Sequence, residues 1–352
     1  MVKVEEGNVV AGSAVVVGAG VGGLATAIGL RRAGWRVTIL DRRAELERYG
    51  TAFGIHPTAQ AALDRLGVGD AFRARAVPYR DGRIRTPDGR VLASLPLERI
   101  ERRAGRPELL ISRPYLLDVL QAALDVPVTY LENVSDATSL AGAHDLVVGA
   151  DGINSAVRAT LFGSRGEVRR VGTVTWIGVA DFESAVHGET WGRGRFFGLT
   201  PIEPGRTNWY AAVPEATDAG DLRALFAGWH DPIPRILSGT DPDSWIRYEM
   251  RHLFPALPTF VHGGKVALVG DAAHAMTPNL GQGACTAILD AEALTRAVAR
   301  HGVSGLPPAL RAYDAERRRS AQRVAFGSRT LHRFVRTERS GLRDSLVRLL
   351  PS

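Results

Sequence analysis

A glycine-rich turn near the N-terminus holds the first residues suited to chemistry. Gly18-Ala19-Gly20-Val21-Gly22-Gly23 matches the pattern G-x-G-x-x-G, directly after the apolar run 14–17 and at the start of a helical pattern. In such a turn Gly18 permits the tight bend, Gly20 lets the backbone approach a pyrophosphate, and Gly23 allows the helix to pack on the strand. Unpaired N–H groups at the start of the helix attract phosphate. The motif therefore predicts a dinucleotide site.

An acidic residue follows the second strand pattern at the distance that this turn requires. Asp41 ends the apolar run 36–40 and lies 23 residues after Gly18. A carboxylate there accepts hydrogen bonds from an adenosine ribose, whereas it would repel the 2′-phosphate of NADP. The N-terminal segment therefore predicts a site for the ADP half of NAD or FAD, and it does not decide between the two.

Two later strand patterns also end in a carboxylate. Residues 145–150 lead into Asp151-Gly152, and residues 265–269 lead into Gly270-Asp271. Beyond Asp271, the sequence Pro278-Asn279-Leu280-Gly281-Gln282-Gly283 enters a long helical pattern. A carboxylate at a strand end can hold the hydroxyls of a polyol, and a helix N-terminus stabilises a nearby negative charge by about 0.3–1 kcal/mol. These features favour FAD, because reduced flavin carries negative charge on one ring edge.

A parallel sheet with helices must position these motifs. The segments between the motifs have a different amino-acid composition. Residues 73–104 and 166–255 are rich in Gly, Pro, Thr, Val and aromatic residues, with turn signals such as Pro87-Asp88-Gly89. We expect an α/β fold in which a Rossmann-like FAD-binding domain (1–72, 105–165 and 256–303) is interrupted by a mainly antiparallel β substrate domain. Residues 304–352 are expected to form C-terminal helices.

Length and composition fit an ordinary globular protein of two domains. The chain has 352 residues, of which 45% are apolar and 23% are charged. No apolar stretch approaches the roughly 18 residues that span a membrane, and no signal sequence is evident, so we expect a cytoplasmic protein without stable membrane insertion. Cys285 is the single cysteine, which excludes an internal disulfide and a cysteine-based metal site. We expect no bound metal.

The positive charge is concentrated at one end of the chain. The formal net charge is +7, and residues 311–352 alone contain eleven arginines and four acidic residues. Apolar residues such as Leu331, Phe334 and Leu342 recur among these arginines at helical spacing, which is typical of amphipathic helices with a solvated basic face. We therefore expect no nucleic-acid partner.

Three blocks together resemble a known family. VVVGAGVGGLATAIGLRRAGWRVTILDR, DLVVGADGINSAVR and GDAAHAMTPNLGQGACTAILDAEAL resemble, in order and spacing, the fingerprints of the class A FAD-dependent aromatic monooxygenases, the para-hydroxybenzoate hydroxylase-like family. The PNLGQG form is especially similar to salicylate hydroxylase, urate hydroxylase and zeaxanthin epoxidase relatives. The resemblance covers about residues 13–300 and implies FAD as cofactor, with NADH or NADPH as co-substrate.

The resemblance also implies a role for individual residues. The ADP half of FAD would be held by Gly18, Gly20, Gly23, Asp41 and Arg42. Arg113 would approach the phosphates and the ribityl chain, Gln121 is a further candidate, and Val134 would meet the adenine through its backbone. Asp151 would lie between FAD and the nicotinamide cofactor, and Asp271 would bind the ribityl chain. Backbone N–H groups near the isoalloxazine would come from Leu280, Gly281, Gln282, Gly283 and Ala284.

The chemistry implied by the family is the transfer of one oxygen atom. NAD(P)H reduces FAD, O₂ adds to the flavin, and the C4a-hydroperoxide hydroxylates or epoxidises an electron-rich aromatic or polyene small molecule. Pro278 would lie near the oxygen-reactive edge, and His56 is a second candidate near the reaction. Candidate substrate contacts are Phe53, Trp176, Arg195, Phe197, Trp209 and Tyr210. Large residues that alternate along strands could line the pocket, or they could form the core face of the sheet.

Three rival functions share some of these features. A flavin-dependent halogenase needs a W-x-W-x-I-P block and an active-site lysine, but the block is absent and only Lys3 and Lys265 occur. A plain NAD dehydrogenase would lack the second and third motifs. An FAD-binding oxidoreductase or accessory cyclase without oxygen transfer stays open as the alternative. Either a monomer or a homodimer is compatible with the sequence.

Overall fold

The computed structural model describes residues 12–46, 52–134 and 136–349. Within these residues the chain forms three β-sheets surrounded by α-helices. In chain order the strands are β1 (Ser13–Val17), β2 (Arg36–Asp41), β3 (Ala52–Ile55), β4 (Val77–Tyr79), β5 (Arg83–Arg85), β6 (Val91–Ser94), β7 (Glu108–Ser112), β8 (Val128–Tyr130), β9 (Leu146–Gly149), β10 (Val168–Ala180), β11 (Gly188–Trp191), β12 (Phe196–Glu203), β13 (Arg206–Pro214), β14 (Ile246–Leu253), β15 (Val261–His262) and β16 (Val266–Leu268).

Helices follow most of the parallel strands and form the C-terminal end of the described chain. They are α1 (Val21–Arg32), α2 (Pro57–Arg65), α3 (Gly69–Arg73), α4 (Leu97–Ala104), α5 (Arg113–Ala122), α6 (Ala137–Ala143), α7 (Ala156–Phe162), α8 (Ala219–Phe226), α9 (Ile233–Gly239), α10 (Asp271–His274), α11 (Gly283–His301), α12 (Leu306–Val335) and α13 (Ser340–Arg348).

The first sheet has the order β15-β16-β9-β1-β2-β8, and all of its strands except β15 run parallel. Val15 and Val16 in the central strand β1 are fully buried, which is typical of a parallel strand covered by helices on both sides. Helices α1 and α11 pack against each other on one side of this sheet. The carboxyl ends of five strands therefore meet at one edge, where ligands bind in open parallel sheets.

The second sheet is mainly antiparallel, with the order β14-β10-β13-β12-β11-β5-β6 and one parallel pair, β5 with β11. Its register divides the side chains between two faces, because neighbouring residues on a strand point in opposite directions. The inner face carries Thr175, Ile177, Glu189, Trp191, Phe196, Gly198, Tyr210, Ala212 and Tyr248. The outer face carries Trp176, Phe197, Leu199, Trp209 and Ala211, which form a core with α8 and α9.

A small third sheet, β3-β7-β4, joins the two larger ones. Its strands contact β12 of the second sheet, and β3 also contacts α11. Gly54 in β3 is required for a close approach, because a Cβ atom there would lie 2.4 Å from a carboxylate oxygen of Glu108 in β7. The third sheet thus brings Glu108 to the boundary between the FAD-binding and substrate domains.

The C-terminal helices close the inner face from one side. Val335 at the end of α12 and Val347 in α13 share a hydrophobic core with Trp191, Phe196 and Met250 of the second sheet. The predicted C-terminal helices and the predicted fold class, an α/β FAD-binding domain with an antiparallel substrate sheet, are confirmed. Strands β10 to β14 lie within 166–255 and β4 to β6 within 73–104, while the domain boundaries themselves stay a prediction.

Candidate cofactor and substrate site

The glycine-rich turn leaves an open cradle in front of α1. Gly18 has φ of +107°, and a Cβ atom there would lie 2.3 Å from the carbonyl oxygen of Ala150. A Cβ atom on Gly23 would lie 1.8 Å from the carbonyl oxygen of Gly18. Gly20, which caps α1, differs because a Cβ atom there would meet no atom within 4 Å. Gly18 and Gly23 are therefore needed for packing, and Gly20 faces the space that a pyrophosphate could fill.

Asp41 lies buried at the end of β2, beside this turn. One carboxylate oxygen accepts a hydrogen bond of 2.7 Å from the backbone N–H of Ala19, and the other accepts one of 2.9 Å from the backbone N–H of Arg43. Burial raises the pKa of the Asp41 carboxyl, but the hydrogen bonds from Arg43 and Ala19 outweigh that effect and lower the pKa. The guanidinium next to Asp41 belongs to Arg43, whereas Arg42 is exposed.

The strand next to β2 places a further predicted contact near this edge. Backbone N–H groups of Leu131 and Glu132 donate to the carbonyl oxygens of Arg43 and Asp41, which ties the segment after β8 to the segment after β2. Val134 follows in this segment and is half-buried. Val134 therefore lies two residues beyond a segment that is tied to the carboxyl end of β2, where Asp41 lies.

Arg113 begins α5, directly after Ser112, whose hydroxyl caps the helix. Its positive charge acts on Asp271 and on Tyr248, so Arg113 lies between the FAD-binding domain and the substrate sheet. Gln121 lies near the other end of α5 and is half-buried. Of these two predicted contacts, the structure brings Arg113 to the centre of the site.

Asp151 and Gly152 form a second turn at the strand edge, after β9. One carboxylate oxygen of Asp151 accepts hydrogen bonds from the backbone N–H groups of Ala156 and Val157, at 2.7 and 3.2 Å. The other oxygen is buried and has no hydrogen-bond partner among the described residues. Gly152 has φ of +77°, and a Cβ atom there would meet nothing within 4 Å. The turn therefore offers an unused acceptor next to open space.

Arg158 joins this turn to the one that carries Asp271. The guanidinium is buried and donates to the carbonyl oxygens of Ile153 at 2.6 Å, Asp271 at 3.2 Å and Ala272 at 3.1 Å. Because these carbonyls belong to two different strand ends, Arg158 fixes the spacing between them. Its role is to position Asp271 and Asp151.

Asp271 begins α10 immediately beyond β16. Its side chain is accessible to solvent, yet protein surrounds it closely enough that desolvation raises the pKa of the carboxyl, against the opposing charges of His274, Arg113 and Arg158. An accessible carboxyl that is so closely surrounded by protein lies inside a concave cleft. Asp271 therefore lines a deep cleft at the carboxyl edge of the parallel sheet.

A buried charge network supports the Asp271 turn from behind. His274 is 2% exposed, and its Nε2 lies 2.5 Å from Asp290 in α11. Asp290 also accepts hydrogen bonds from the guanidinium of Arg317 at 2.9 Å and from the backbone N–H of Gly270 at 3.1 Å. His274 is thus the packed, hydrogen-bonded residue that its small neighbours in the sequence indicate.

The segment between α10 and α11 turns the start of a long helix toward the cleft. Residues Pro278–Leu280 form a single 3-10 turn, and Gly281 then adopts a left-handed conformation with φ of +63°. The first-turn N–H groups of α11 have no carbonyl partner within the helix. The segment that could present such groups comprises Leu280, Gly281, Gln282, Gly283 and Ala284. Cβ atoms on Gly281 and Gly283 would meet nothing within 4 Å, so this N-terminus faces open space.

On the opposite side of the cleft, the inner face of the second sheet carries polar groups. Tyr248 interacts electrostatically with Asp271, and burial raises the pKa of its hydroxyl to about 12. Further along this face, the hydroxyl of Tyr210 donates to a carboxylate oxygen of Glu189 at 2.8 Å. The inner face therefore combines neutral tyrosines with the half-buried carboxyl of Glu189.

The third sheet adds a second polar pair close to α11. Nδ1 of His56 lies 3.1 Å from a carboxylate oxygen of Glu108. The backbone N–H of His56 donates to the sulfur of Cys285, and the thiol donates to the carbonyl oxygen of Gly54. Burial raises the pKa of the Cys285 thiol to about 12, which fits a packed residue rather than a reactive one. Phe53 lies on β3 and packs against the main core.

The structure places most of the predicted aromatic substrate contacts on the outer face. Trp209 is fully buried and stacks on Phe197 with ring centroids 5.6 Å apart. Trp176 belongs to the same core, and Arg195 lies over the rings of Phe226 and Trp229. These residues therefore form a core on the outer side of the sheet and do not line the pocket, because the sheet itself separates them from the cleft. Tyr210 is the sheet aromatic of the predicted set that lies on the inner face.

Comparisons with known proteins agree with this geometry. A family model described as "FAD binding domain" matches residues 12–141 and 138–328, which is most of the chain. The chain belongs to the class A FAD-dependent monooxygenases.

Two relatives within this family are similar over most of their length. The aurachin C monooxygenase/isomerase of Stigmatella aurantiaca is 34% identical over 96% of this chain and 94% of its own. The FAD-dependent urate hydroxylase of Klebsiella pneumoniae is 30% identical over 86% and 85%, respectively. The crystal structure of Klebsiella pneumoniae HpxO complexed with FAD and uric acid superimposes with a TM-score of 0.84 at 27% identity, covering 96% of this chain and 92% of HpxO.

The cleft of this flavin monooxygenase fits FAD on its own features. Gly20 faces an open cradle, Asp151 has an unused buried acceptor, and Asp271 lines the cleft below the first turn of α11. The cradle at Gly20 suits a pyrophosphate, the acceptor of Asp151 suits a hydroxyl, and Asp271 suits a ribityl chain. Among the described residues, no group of three or more His, Cys, Asp or Glu side chains could hold a metal ion, and no helix is long and apolar enough to cross a membrane.

Several residues of this monooxygenase site have no sequence motif of their own. Glu189 and Trp191 come from β11, Tyr79 from β4 and Glu108 from β7, and only strand register brings these three short strands together. Alternation along β13 could have shown that Tyr210 and Trp209 lie on opposite faces. No local signal could have shown which face points toward FAD.

Proposed function

We propose that this chain is an NAD(P)H-dependent FAD monooxygenase that inserts one oxygen atom into an electron-rich aromatic or polyene small molecule. The reaction consumes NAD(P)H, a proton, O₂ and substrate, and it yields NAD(P)⁺, water and the oxygenated product. Hydroxylation and epoxidation have the same balance.

The observation that carries this proposal is the cleft between the two domains. Asp271 and the first turn of α11 form one wall, and the inner face of the second sheet, with Tyr248 and Tyr210, forms the other. A flavin held along the first wall would turn its reactive edge toward the second. A small planar substrate would fit between them.

Each FAD contact has a supporting feature in the described residues. Gly18, Gly20, Gly23 and Asp41 would hold the ADP half, with Arg43 next to Asp41, and Asp271 would bind the ribityl hydroxyls. Arg113 would offer positive charge near the phosphates and the ribityl chain. Bound FAD supplies hydride acceptance from NAD(P)H and activation of O₂. The first-turn N–H groups of α11 would stabilise negative charge on the reduced ring by about 0.3–1 kcal/mol.

The protein also has to exclude water and orient the substrate. The C-terminal helices and the third sheet cover two sides of the inner face. Pro278 lies at the exposed turn before α11, where it could limit access to the reactive edge. His56 is held by Glu108, so we assign it to the wall of the cleft rather than to proton transfer.

The relatives support oxygen transfer to a ring-containing small molecule. The urate hydroxylase is named for hydroxylation of a heteroaromatic substrate, and the name of the aurachin C enzyme couples oxygenation with isomerisation. At about 30% identity the substrate itself does not carry over. The substrate class therefore has to come from the cleft.

The test follows flavin reduction and oxygen transfer in one preparation. The purified protein, reconstituted with FAD, is mixed anaerobically with NADH or NADPH and a panel of phenols, indoles and polyketide-like aromatics. A compound that speeds the bleaching of the flavin bands is then incubated with NAD(P)H and isotopically labelled O₂, and its product is analysed by mass spectrometry. We expect one labelled oxygen atom in the product.

Three outcomes would contradict the proposal. Failure to bind FAD would remove its basis. Substrate-stimulated flavin reduction without any labelled oxygen in the product would instead favour an oxidoreductase without oxygen transfer, and reduction that no compound accelerates would favour an accessory cyclase.

A further inference from the structure

The C-terminal half of α12 contacts the segment before α11 through two buried side chains. Ser328 and His332 are 0% and 3% exposed, respectively. Residues four apart lie on the same side of a helix, and both of these side chains are hydrogen-bonded to residues 277–280. Because that segment leads into the helix N-terminus at the cleft, α12 is placed to set its position.

Ser328 directs the full hydrogen-bonding capacity of its hydroxyl at this segment. Its Oγ donates to the carbonyl oxygen of Thr277 at 2.5 Å, lies 3.1 Å from the hydroxyl of Thr277, and accepts from the backbone N–H of Leu280 at 3.4 Å. A serine hydroxyl has one donor and two acceptor sites, so all of them are used here. The neighbouring Gly327 permits the close approach, because a Cβ atom there would lie 3.3 Å from the side chain of Leu280.

His332 connects the same segment to the substrate sheet. Nδ1 of its ring lies 3.1 Å from Oδ1 of Asn279, and Nε2 lies 3.3 Å from the hydroxyl of Thr173 in β10. Burial lowers the pKa of the His332 imidazole to about 4, so the ring is neutral at pH 7 and carries a single proton. Because an amide oxygen can only accept, this proton lies on Nδ1, and Nε2 accepts from the hydroxyl of Thr173.

Thr173 belongs to the inner face of the second sheet. It lies two residues before Thr175 on β10, and alternate residues of a strand point to the same side. Thr173 is 1% exposed, so its hydroxyl is enclosed with His332. The hydrogen-bonded series Thr173, His332 and Asn279 therefore joins the two walls of the cleft through one side chain of α12.

We propose that His332 and Ser328 are positioning residues that hold residues 277–280, and with them the N-terminus of α11, at a fixed distance from the flavin ring. The inference rests on the FAD binding of the proposed function and not on its oxygen transfer. Both side chains are buried behind the segment, so they act through the helix N-terminus rather than by contact with FAD.

This distance matters because the field of a helix N-terminus is short-ranged. The partial positive charge of the N-terminus acts mainly within the first turn. Reduced flavin carries negative charge on the ring edge, whereas the oxidised ring is neutral. If the N-terminus of α11 moves away, the reduced state loses stabilisation and the oxidised state changes little. The reduction potential of bound FAD therefore measures how well the segment is held.

The test compares two substitutions at His332 in the FAD-loaded protein. His332→Asn keeps an N–H donor near the position of Nδ1 for Asn279, whereas His332→Leu removes both hydrogen bonds. The midpoint potential of bound FAD is measured anaerobically against a reference dye, without NAD(P)H or substrate. We expect His332→Leu to bind reduced FAD about 3- to 10-fold more weakly relative to oxidised FAD, which corresponds to a potential lower by about 14–30 mV for a two-electron couple. His332→Asn should retain most of the wild-type potential.

A second pair of variants keeps the proposal testable if His332→Leu does not fold. Ser328→Ala removes one hydroxyl and should lower the potential in the same direction. Thr330→Ala, which removes an exposed hydroxyl from the same helix, should leave the potential unchanged.

A purely structural role would lower the melting temperatures of the variants without moving the potential of bound FAD. Wild-type potentials in His332→Leu and Ser328→Ala would therefore overturn the proposal, as would an equal shift in His332→Asn and His332→Leu. Because these measurements need no turnover, their result is independent of whether oxygen transfer is observed. A wild-type protein that does not bind FAD would overturn this proposal together with the proposed function.

Discussion

Asp271 combines a functional position with an energetic cost to the protein. Its carboxyl lines the cleft, and desolvation raises its pKa. In Asp271→Asn the side chain can no longer accept two strong hydrogen bonds from ribityl hydroxyls, so we expect FAD affinity to fall about 10- to 100-fold, which corresponds to about 1.5–3 kcal/mol. Fluorescence titration of the apoprotein with FAD measures this loss.

The same substitution should stabilise the apoprotein. The folded-state pKa of Asp271 lies above the ordinary value of 3.8, so the folded state binds more protons and loses stability as pH rises through that interval. Asp271→Asn removes this loss, and the apoprotein should melt at a higher temperature at pH 7 but not near pH 4. Asp181→Asn, a change at an exposed ion pair, serves as control. Equal melting temperatures of Asp271→Asn and wild type at pH 7 would contradict the assignment.

The residue next to Asp41 shows the limit of prediction at this scale. Both Arg42 and Arg43 follow β2, and the resemblance implies Arg42 as a contact of the ADP half, which stays a prediction. The structure turns the guanidinium of Arg43 onto Asp41, while Arg42 is exposed. The difference depends on how the chain turns after the strand, and a motif that fixes only the strand and the carboxylate does not contain that information.

At the scale of elements, the N-terminus of α1 offers a matched pair of glycines. An alanine at position 20 has room in the apoprotein but would project into the cradle, whereas an alanine at position 23 would collide with the backbone of Gly18. We expect Gly20→Ala to keep the melting temperature of the apoprotein and lose at least about tenfold in FAD affinity, since backbone approach to the pyrophosphate is blocked. Gly23→Ala should lower the melting temperature. If Gly20→Ala bound FAD as the wild type does, the pyrophosphate would lie elsewhere.

Helix α11 holds the Asp271 turn through Asp290. Burial raises the pKa of this carboxyl, but the charges and hydrogen bonds of His274 and Arg317 outweigh it and lower the pKa. Its contribution to stability is therefore present above the ordinary carboxyl pKa and is lost as pH falls through the lowered value. Asp290→Asn leaves the guanidinium of Arg317 and the ring of His274 without their buried carboxylate and should cost about 3–5 kcal/mol of unfolding free energy.

Urea unfolding of the apoprotein at pH 7 measures this cost. Glu316→Gln, which breaks an exposed pair with Arg296 on the neighbouring helix, should change the unfolding free energy little. A similar small change in Asp290→Asn would show that the network does not support the turn.

At the scale of the whole molecule, Arg343 connects the C-terminus to the substrate sheet. It is 1% exposed and donates to the carbonyl oxygens of Trp191, Gly192 and Val335 at 2.7 to 3.0 Å. Arg343→Met would leave these carbonyls buried without donors, at about 1–3 kcal/mol for each group. We expect a lower melting temperature, with FAD content retained. Arg348→Met, on the exposed side of α13, is the matched control.

The parts of the molecule that the sequence could predict are local ones. Four of these features, the glycine turn, Asp41, Asp151 and Asp271, each follow a strand within a few residues. Their positions at the sheet edge are therefore determined by the nearby sequence. The Tyr210 and Glu189 pair is different, because it depends on the register of β11, β12 and β13. The orientation of that sheet toward FAD depends in turn on contacts with the third sheet and the C-terminal helices, which lie far away in the sequence.

The division of the second sheet into two faces separates two kinds of evolutionary change. Every second residue of β10, β12 and β13 contributes to the outer core around Trp209 and Phe197, and the residues between them face the cleft. Changes at Ile177 or Tyr210 can therefore alter what the enzyme accepts while the outer core stays intact. A mutagenesis library confined to the cleft-facing set would explore new substrates on an unchanged scaffold, and this fold can diversify its chemistry in the same way.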